Sequence, residues 1–349
     1  GLEPALMAPT GRAAKRLAIS SGRDADTIHK ALEASVRETG RTYFERNEAN
    51  PLEEDLIIVD EASMLDISLF YHLLCALKDG ARLILVGDID QLPPVGAGEP
   101  LKDLMSWGYV PIVRLKRIFR QEEGSGIVEN AALIRKGEMC VPDEAGEFRI
   151  VYAADDEDAY RIVMDLCREL NYGNEENKML LQVLSPMYRG VCGVDHLNES
   201  LQEMIHGEKV PDGMKFFPGD KVMQTRNDYE KGIYNGDVGT VWTATPQKVF
   251  VRYFDKEVVY EGEERFDLRL AYAVTVHKSQ GSEYETVIFI LRPSQHNMLQ
   301  RNLLYTGVTR ARKNTILVTA PDALRRALAI QHTGNRYSLF LPFLNHEAL

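Results

Sequence analysis

Residues Leu56-Ile57-Ile58-Val59 form an unbroken apolar run that stops abruptly at Asp60-Glu61. A run with no polar alternation suits a strand covered on both faces, the usual state of a parallel sheet flanked by helices. A second run, Leu83-Ile84-Leu85-Val86, follows closely. Between them Ile67, Phe70, Leu73, Leu74 and Leu77 recur at helical spacing over Asp66 to Leu77, which gives one apolar face to lay on a sheet. The unit reads as strand, helix, strand, and the chain as α/β with parallel sheets.

A second set of strand candidates, Leu180 to Leu184, Tyr272 to Val276, Thr286 to Leu291 and Thr315 to Thr319, is joined by helical stretches at Asp156 to Leu170 and Asp195 to His206. These predict a second doubly wound domain. From Pro218 to Phe266 the texture changes to β-branched and aromatic segments punctuated by Asn235-Gly236-Asp237, Thr245-Pro246 and Glu261-Gly262, which predicts a small β-barrel inserted into that domain. The expected organisation is a first domain over 1–113, a second over 114–211 and 268–349, and a barrel over 212–267.

The chemistry concentrates where the apolar runs end. Asp60 is placed to hold Mg²⁺ beside a phosphate chain, and Glu61 to accept a proton from an attacking water. An acid pair after a strand also fits plain solvated carboxylates. The second run leads into Gly87-Asp88-Ile89-Asp90-Gln91-Leu92-Pro93-Pro94-Val95, where Gln91, braced by two prolines, could point its amide at a γ-phosphate.

Asp-Glu-Ala-Ser at 60–63 followed by the Gly87 to Val95 segment resembles motifs II and III of superfamily 1 DNA helicases. Ala8 to Ala14 resembles motif Ia and Thr27-Ile28-His29 motif Ic. Leu115 to Gln121 is similar to motif IV, with Arg120 the better match for the nucleotide-reaching arginine and Arg117 the alternative. Val274 to Glu283 resembles motif V, and Tyr305 to Arg312 motif VI. Ser185 to Gly190 with Leu197-Asn198, and Phe217 to Tyr229 leading to Tyr234 to Gly239, resemble segments of the RecD/TraA group, the second its SH3-like insert.

The resemblance implies two RecA-like motor domains, the first without its P-loop portion, with an SH3-like barrel in the second. It implies ATP and Mg²⁺ as cofactors and single-stranded DNA as the track, travelled 5′-to-3′. Asp60 would hold the metal; Glu61, Gln91, Arg120 and Arg310 would act on the nucleotide, Arg310 as an arginine finger, with Gly281 and Glu283 nearby. Pro9, Thr10, Thr27, His29, Pro94, Ser185, Arg189, Arg226, Asn227, Asn235, Thr275, His277 and Lys278 are the candidate DNA contacts. A guanidinium brought to the phosphoryl from a second domain neutralises developing charge on closure. Asn235 before Gly236 fits turn chemistry equally well. Tyr188, Tyr229 and Phe254 fit either base stacking or packing.

No Gly-x-x-x-x-Gly-Lys-Ser/Thr occurs in the sequence, although the family carries that loop about one helix before motif Ia. The expectation is a fragment of a longer helicase that by itself binds ATP weakly and turns it over poorly. The alternative is a non-enzymatic single-strand-binding or scaffolding subunit of a DNA repair or recombination complex, and other subunits of such a complex are candidate partners in either case. A nuclease is disfavoured, because no further Asp/Glu/Lys cluster is present to hold catalytic metals.

The 41 Lys and Arg against 52 Asp and Glu give a net charge of −11, so a nucleic acid must be held in a local groove and not by the mean field. Four cysteines lie far apart with no Cys-x-x-Cys, which predicts neither a zinc site nor a disulfide framework. No apolar run reaches the ~18 residues of a membrane span, and the expected compartment is the cytoplasm.

Overall fold

In the computed structural model, which describes residues 4–36, 42–115, 124–211, 213–228, 230–254, 256–331 and 340–345, the first apolar run sits at the centre of a small parallel sheet. Its chain order is β1 (Pro4–Ala8), α1 (Gly11–Ser21), β2 (Ala25–Thr27), α2 (Ile28–Ala31), β3 (Ala34–Val36), β4 (Thr42–Phe44), β5 (Leu56–Val59), α3 (Ile67–Cys75), β6 (Arg82–Leu85) and α4 (Pro100–Trp107). The sheet runs β2-β1-β5-β6, and every pairing is parallel. β3 and β4 form a separate antiparallel pair.

α3 starts where Asp66 accepts a hydrogen bond from Leu69 N at 2.8 Å, a side-chain cap on an otherwise orphaned amide. Its Phe70 and Leu73 then bury against Ile57 and Val59 of β5, with Ile28, Leu32 and Phe44 completing the core. Each such apolar side chain contributes about 1.5–3 kcal/mol through burial. The expectation of a strand covered on both faces holds for one face of β5, where Ile57 and Val59 are buried while Leu56 and Ile58 stay half-buried, and fails for β6. Among the described residues β6 is the outermost strand, paired with β5 alone, and Ile84 is 45% and Val86, just beyond it, 44% exposed.

The second unit follows the same logic on a larger scale. It contains α5 (Gly126–Lys136), β7 (Phe148–Tyr152), α6 (Asp156–Glu169), α7 (Glu175–Leu180), β8 (Leu181–Ser185) and α8 (Val194–His206). The barrel strands come next: β9 (Lys221–Gln224), β10 (Val238–Ala244), β11 (Lys248–Arg252), β12 (Glu257–Glu261) and β13 (Leu268–Leu270). The chain then returns as β14 (Ala273–Thr275), β15 (Tyr284–Leu291), α9 (Arg301–Val308), β16 (Ala311–Thr319) and α10 (Pro321–Ala329). The main sheet, β14-β8-β15-β16-β7, is parallel throughout. α6, capped by Asp155, buries Ala159, Val163, Met164 and Cys167 on it.

The insert is an antiparallel sheet, β12-β11-β10-β9-β13, around Phe216, Val222, Val241, Val251, Tyr253 and Tyr260. It reaches β13, just past the expected boundary at residue 267, because Leu268 to Leu270 pair with β9 before the chain leaves.

Two residues at the start of β9 join the barrel to the parallel-sheet domain. Asp220 is fully buried and accepts hydrogen bonds from Gln202, from His206 Nε2 (2.9 Å), from Tyr272 OH (2.9 Å) and from Phe217 N (2.7 Å). Lys221 is 1% exposed and donates to the carbonyls of Lys178 (2.8 Å) and Leu181 (3.0 Å) and to Gln182 Oε1 (3.0 Å).

One expected boundary changes. The chain divides into Gly1–Lys116 with Gly334–Leu349, and Arg117–Thr333. The C-terminal helix α11 (Phe340–Leu344) therefore belongs to the first unit, where Phe340 meets Phe70 edge-on at 5.9 Å; the sequence reading had assigned it to the second domain.

Candidate functional site

Asp60 and Glu61 leave the C-terminal end of β5, where ligands of open parallel sheets bind. Asp60 N donates to Met7 O at 2.9 Å, which fixes the acid beside the end of β1. Glu61 has φ +52°, a left-handed conformation rare for a side chain of this size, and it is 7% exposed. Such backbones persist only where surrounding contacts over-determine them, commonly at working sites. Those contacts are present: Glu61 N donates to Asp60 Oδ1 (2.9 Å), and Ala62 N to Val86 O (2.7 Å).

An arginine that the motif reading had not singled out completes this corner. Arg16 of α1 donates through Nη2 to Glu61 Oε1 at 2.8 Å and lies 3.9 Å from Asp60 Oδ2. Asp60 is partly exposed, with Oδ1 accepting from an amide and Oδ2 facing Arg16 at 3.9 Å, so the single carboxylate contact that Mg²⁺ usually takes would replace Arg16 at Oδ2. The residues therefore fit a metal held beside a phosphate.

Gln91 lies on the loop after β6, whose turn is built by Asp88: Asp90 N donates to Asp88 Oδ1 (3.0 Å), and Gln91 Nε2 approaches Asp88 Oδ2 at 3.4 Å. The loop is pressed on the Glu61 turn, since a Cβ at Gly87 would lie 2.8 Å from Ser63 N. Gln91 lines a small cavity with Ser63, Leu65 and Pro93, and the buried Ser63 hydroxyl has no hydrogen-bond partner there. Asp60, Glu61 and Gln91 are thus gathered at one end of one sheet. Arg120, and its alternative Arg117, lie outside the described residues.

In the second unit the segments holding Gly281, Glu283 and Arg310 are also brought together. Tyr284 N donates to Arg310 O at 2.9 Å, and Glu283 pairs with Arg312 at 2.9 Å. Gly281 takes φ +71°, which glycine adopts without strain. Arg310 is 1% exposed and donates to Thr306 O (3.2 Å) and Ser282 O (3.1 Å).

The candidate DNA contacts divide into presented and enclosed groups. Thr10 caps α1, its hydroxyl accepting from Ala13 N at 3.3 Å, with Pro9 half-buried before it. His29 is partly buried near Phe44, and burial lowers its pKa while Asp66 opposes the shift. Arg189, Arg226, Asn227 and Asn235 are exposed. Lys278 Nζ reaches Asn235 Oδ1 at 2.6 Å, and Asn235 N reaches Asn227 Oδ1 at 2.9 Å, so three candidates from two parts of the chain form one cluster. His277 is beside them on the same short 3-10 turn, while burial, and secondarily Arg269, lowers the Lys278 pKa.

Four candidates are enclosed, and there the structure corrects the expectation of an open contact. Ser185 is buried with its hydroxyl donated to Cys192 O at 2.6 Å. Thr27 caps α2, Thr275 caps the turn before Lys278, and Pro94 is buried under the loop, whose exposed tip is Val95. Among the aromatic candidates, Phe254 is 97% exposed, Tyr188 lies under Arg269, and Tyr229 is outside the described residues.

Comparison with known proteins fits this arrangement. Residues 2–97 match an AAA domain, residues 197–253 the ATP-dependent RecD-like DNA helicase SH3 domain, and residues 270–318 the UvrD-like helicase C-terminal domain. The chain is 38% identical over 343 residues to the ATP-dependent RecD2 DNA helicase of Deinococcus radiodurans, covering 97% of this chain and 46% of that protein. It is 32% identical to the RecBCD enzyme subunit RecD of Mycolicibacterium smegmatis, covering 96% and 66%. The chain belongs to the RecD-like superfamily 1 helicases.

The chain spans about half the length of the first of these relatives and about two thirds of the second. A Pif1 helicase from Bacteroides, solved with ADP-AlF3 and single-stranded DNA, shares the fold at a TM-score of 0.57 and 20% identity, covering 99% of this chain and 87% of that one. Among the described residues of this RecD-like chain no His, Cys, Asp and Glu cluster is fit to hold a metal ion by itself. The buried thiols of Cys140, Cys167 and Cys192 are pushed up to about 12 by burial, which makes them poor nucleophiles. No helix among the described residues is long and apolar enough to cross a membrane.

Proposed function

We propose that the whole protein is an ATP-dependent DNA helicase that translocates on single-stranded DNA in the 5′-to-3′ direction, and that this chain is its motor portion. The observation that carries the reading is the convergence of Asp60, Glu61 and Gln91 at the C-terminal end of β5 and β6. Asp60 would hold Mg²⁺, which when bound would supply charge neutralisation at the phosphates. Glu61 orients the attacking water and takes its proton. Gln91 reports the γ-phosphate through a loop pressed onto the Glu61 turn.

Arg120 and Arg310 supply positive charge to the transferring phosphoryl. For Arg310 this means exchanging its bonds to Thr306 O and Ser282 O for phosphate oxygens. Gly281 and Glu283 are the adjoining candidates beside Arg310 in the second unit. Thr10, Arg189, Asn235, His277 and Lys278 offer phosphate and base-edge donors without sequence preference. Tight nucleotide binding further requires a P-loop, whose backbone amides and lysine grip the phosphates, and no such motif occurs in this sequence.

The test is ATP hydrolysis by the whole protein with Glu61→Gln. Removing a general base should lower turnover by about 10²–10⁴-fold and leave oligo-dT binding intact by fluorescence anisotropy. Turnover undiminished in that variant would remove Glu61 from its role. For this chain alone, oligo-dT affinity should be insensitive to a non-hydrolysable ATP analogue with Mg²⁺; a strong shift would show that the P-loop is dispensable.

A further inference from the structure

We infer that Arg16 is a positioning residue that transmits the state of the DNA-facing end of α1 to the hydrolytic carboxylate of Glu61. The inference rests on the helicase reading above and adds to it a route by which the strand regulates hydrolysis. Its physical basis is that one short, closely packed helix carries Thr10 at its start and Arg16 on the carboxylates.

α1 cannot easily slide on β1. Ala13 and Ala14 bury against Ala8 in a cluster of methyl groups, and Gly11 is buried beside them. Small residues at this contact let the two backbones approach closely, so the helix can pivot there but not shift along the strand. Arg16 lies six residues beyond the Thr10 cap, about 9 Å along the axis at 1.5 Å per residue. A displacement imposed at the cap is therefore delivered to the guanidinium with little loss.

Midway along its length the helix meets the acid pair. Arg16 Nη2 donates to Glu61 Oε1 at 2.8 Å and lies 3.9 Å from Asp60 Oδ2. The acids are anchored to the sheet by the bond from Asp60 N to Met7 O at 2.9 Å, so a tilt of α1 moves Arg16 relative to them. Both partners are shielded, with side-chain exposures of 30% for Arg16 and 9% for Glu61, so the pair is not simply dissolved by solvent.

A carboxylate oxygen engaged by a guanidinium faces α1 and is not free to accept a proton from water. The arrangement seen is thus a restrained Glu61. A strand seated at Thr10 tilts the start of α1, lengthens the Arg16–Glu61 contact and frees the carboxylate to turn toward the nucleotide. Arg16 itself touches neither water nor phosphate in this scheme.

The experiment uses the whole protein with Arg16→Gln and Arg16→Lys. In Arg16→Gln, DNA-free hydrolysis should rise and the ratio of DNA-stimulated to DNA-free rates should fall at least fivefold. Arg16→Lys, which keeps the charge, should restore most of that ratio. Because coupling between sites is reciprocal in binding, the shift in oligo-dT affinity caused by a non-hydrolysable ATP analogue should shrink in Arg16→Gln by a comparable factor.

An unchanged rate ratio together with an unchanged affinity shift in Arg16→Gln overturns the inference. So does a uniform fall of both rates at constant ratio, which would make Arg16 a simple support for the site. If the unsubstituted protein hydrolyses ATP no faster with DNA than without it, the helicase reading fails first and this inference with it.

Discussion

The ammonium of Lys221, on the first residue of β9, lies 2.8 Å from the carbonyl oxygen of Lys178 on the last turn before β8. A buried lysine is costly unless every proton is engaged, and this one also meets Leu181 O and Gln182 Oε1. Lys221→Met would fill similar volume and leave those acceptors dry. We expect a loss of about 2–4 kcal/mol, read as a lower urea midpoint at unchanged slope. An unshifted midpoint would show that the junction contributes nothing to holding the barrel on its domain.

Gly87 tests the link between the Gln91 loop and the acid pair. With Leu101 Cδ2 and Ser63 N each at 2.8 Å and Ala62 N at 3.2 Å from a Cβ built there, alanine must push backbone as well as a side chain. Gly87→Ala should destabilise the first unit by about 1–3 kcal/mol and impair hydrolysis in the whole protein together with it. A melting temperature equal to that of the unsubstituted chain would mean the loop yields freely.

His29 gives the first unit a pH dependence. Burial lowers its pKa from 6.5, with Asp66 acting in the opposite sense. The folded state thus prefers the neutral ring, and between the lowered value and 6.5 the unfolded chain binds a proton that the folded chain refuses. Stability from this source is intact above that window and is lost as pH falls through it. His29→Phe, which keeps a ring near Phe44, should narrow the difference between melts at about pH 7.5 and about pH 5.5. An equal difference in both proteins would place the pH response elsewhere.

Lys278 is the cation of the cluster it forms with Asn235. If it meets a phosphate, Lys278→Ala should weaken oligo-dT binding and flatten the plot of log affinity against log salt by about 0.7, the increment of one contact on a single strand. A parallel plot with unchanged slope would assign Lys278 to holding Asn235 alone.

The sequence showed most plainly what local pattern encodes. β5 was legible because four apolar residues end on two acids, and α3 because Asp66 caps a regular apolar spacing. β7 was not legible: Phe148 to Tyr152 places Arg149 inside a short strand at the sheet edge, and although Pro142 to Gly146 offers a turn before it, no apolar pattern marks it as a fifth neighbour. Asp60, Glu61 and Gln91 could be found because each follows a strand end. Arg16 could not, since its bond to Glu61 spans 45 residues and looks in the sequence like one more cation on a surface helix. The enclosure of Ser185 and Thr275 was likewise hidden, because hydroxyls that cap turns and hydroxyls that meet phosphate have the same letter in the sequence.

The exposed flank of β6 governs how this chain behaves in a tube. Ile84 and, just past the strand, Val86 expose apolar surface beside a backbone that among the described residues is paired on one side only. Such an edge is a template for any other extended segment, including the same strand of a second molecule. Concentrated solutions should form β-rich self-associated species before the second unit begins to melt, and a lysine at position 84 should act as a gatekeeper that keeps the protein dispersed.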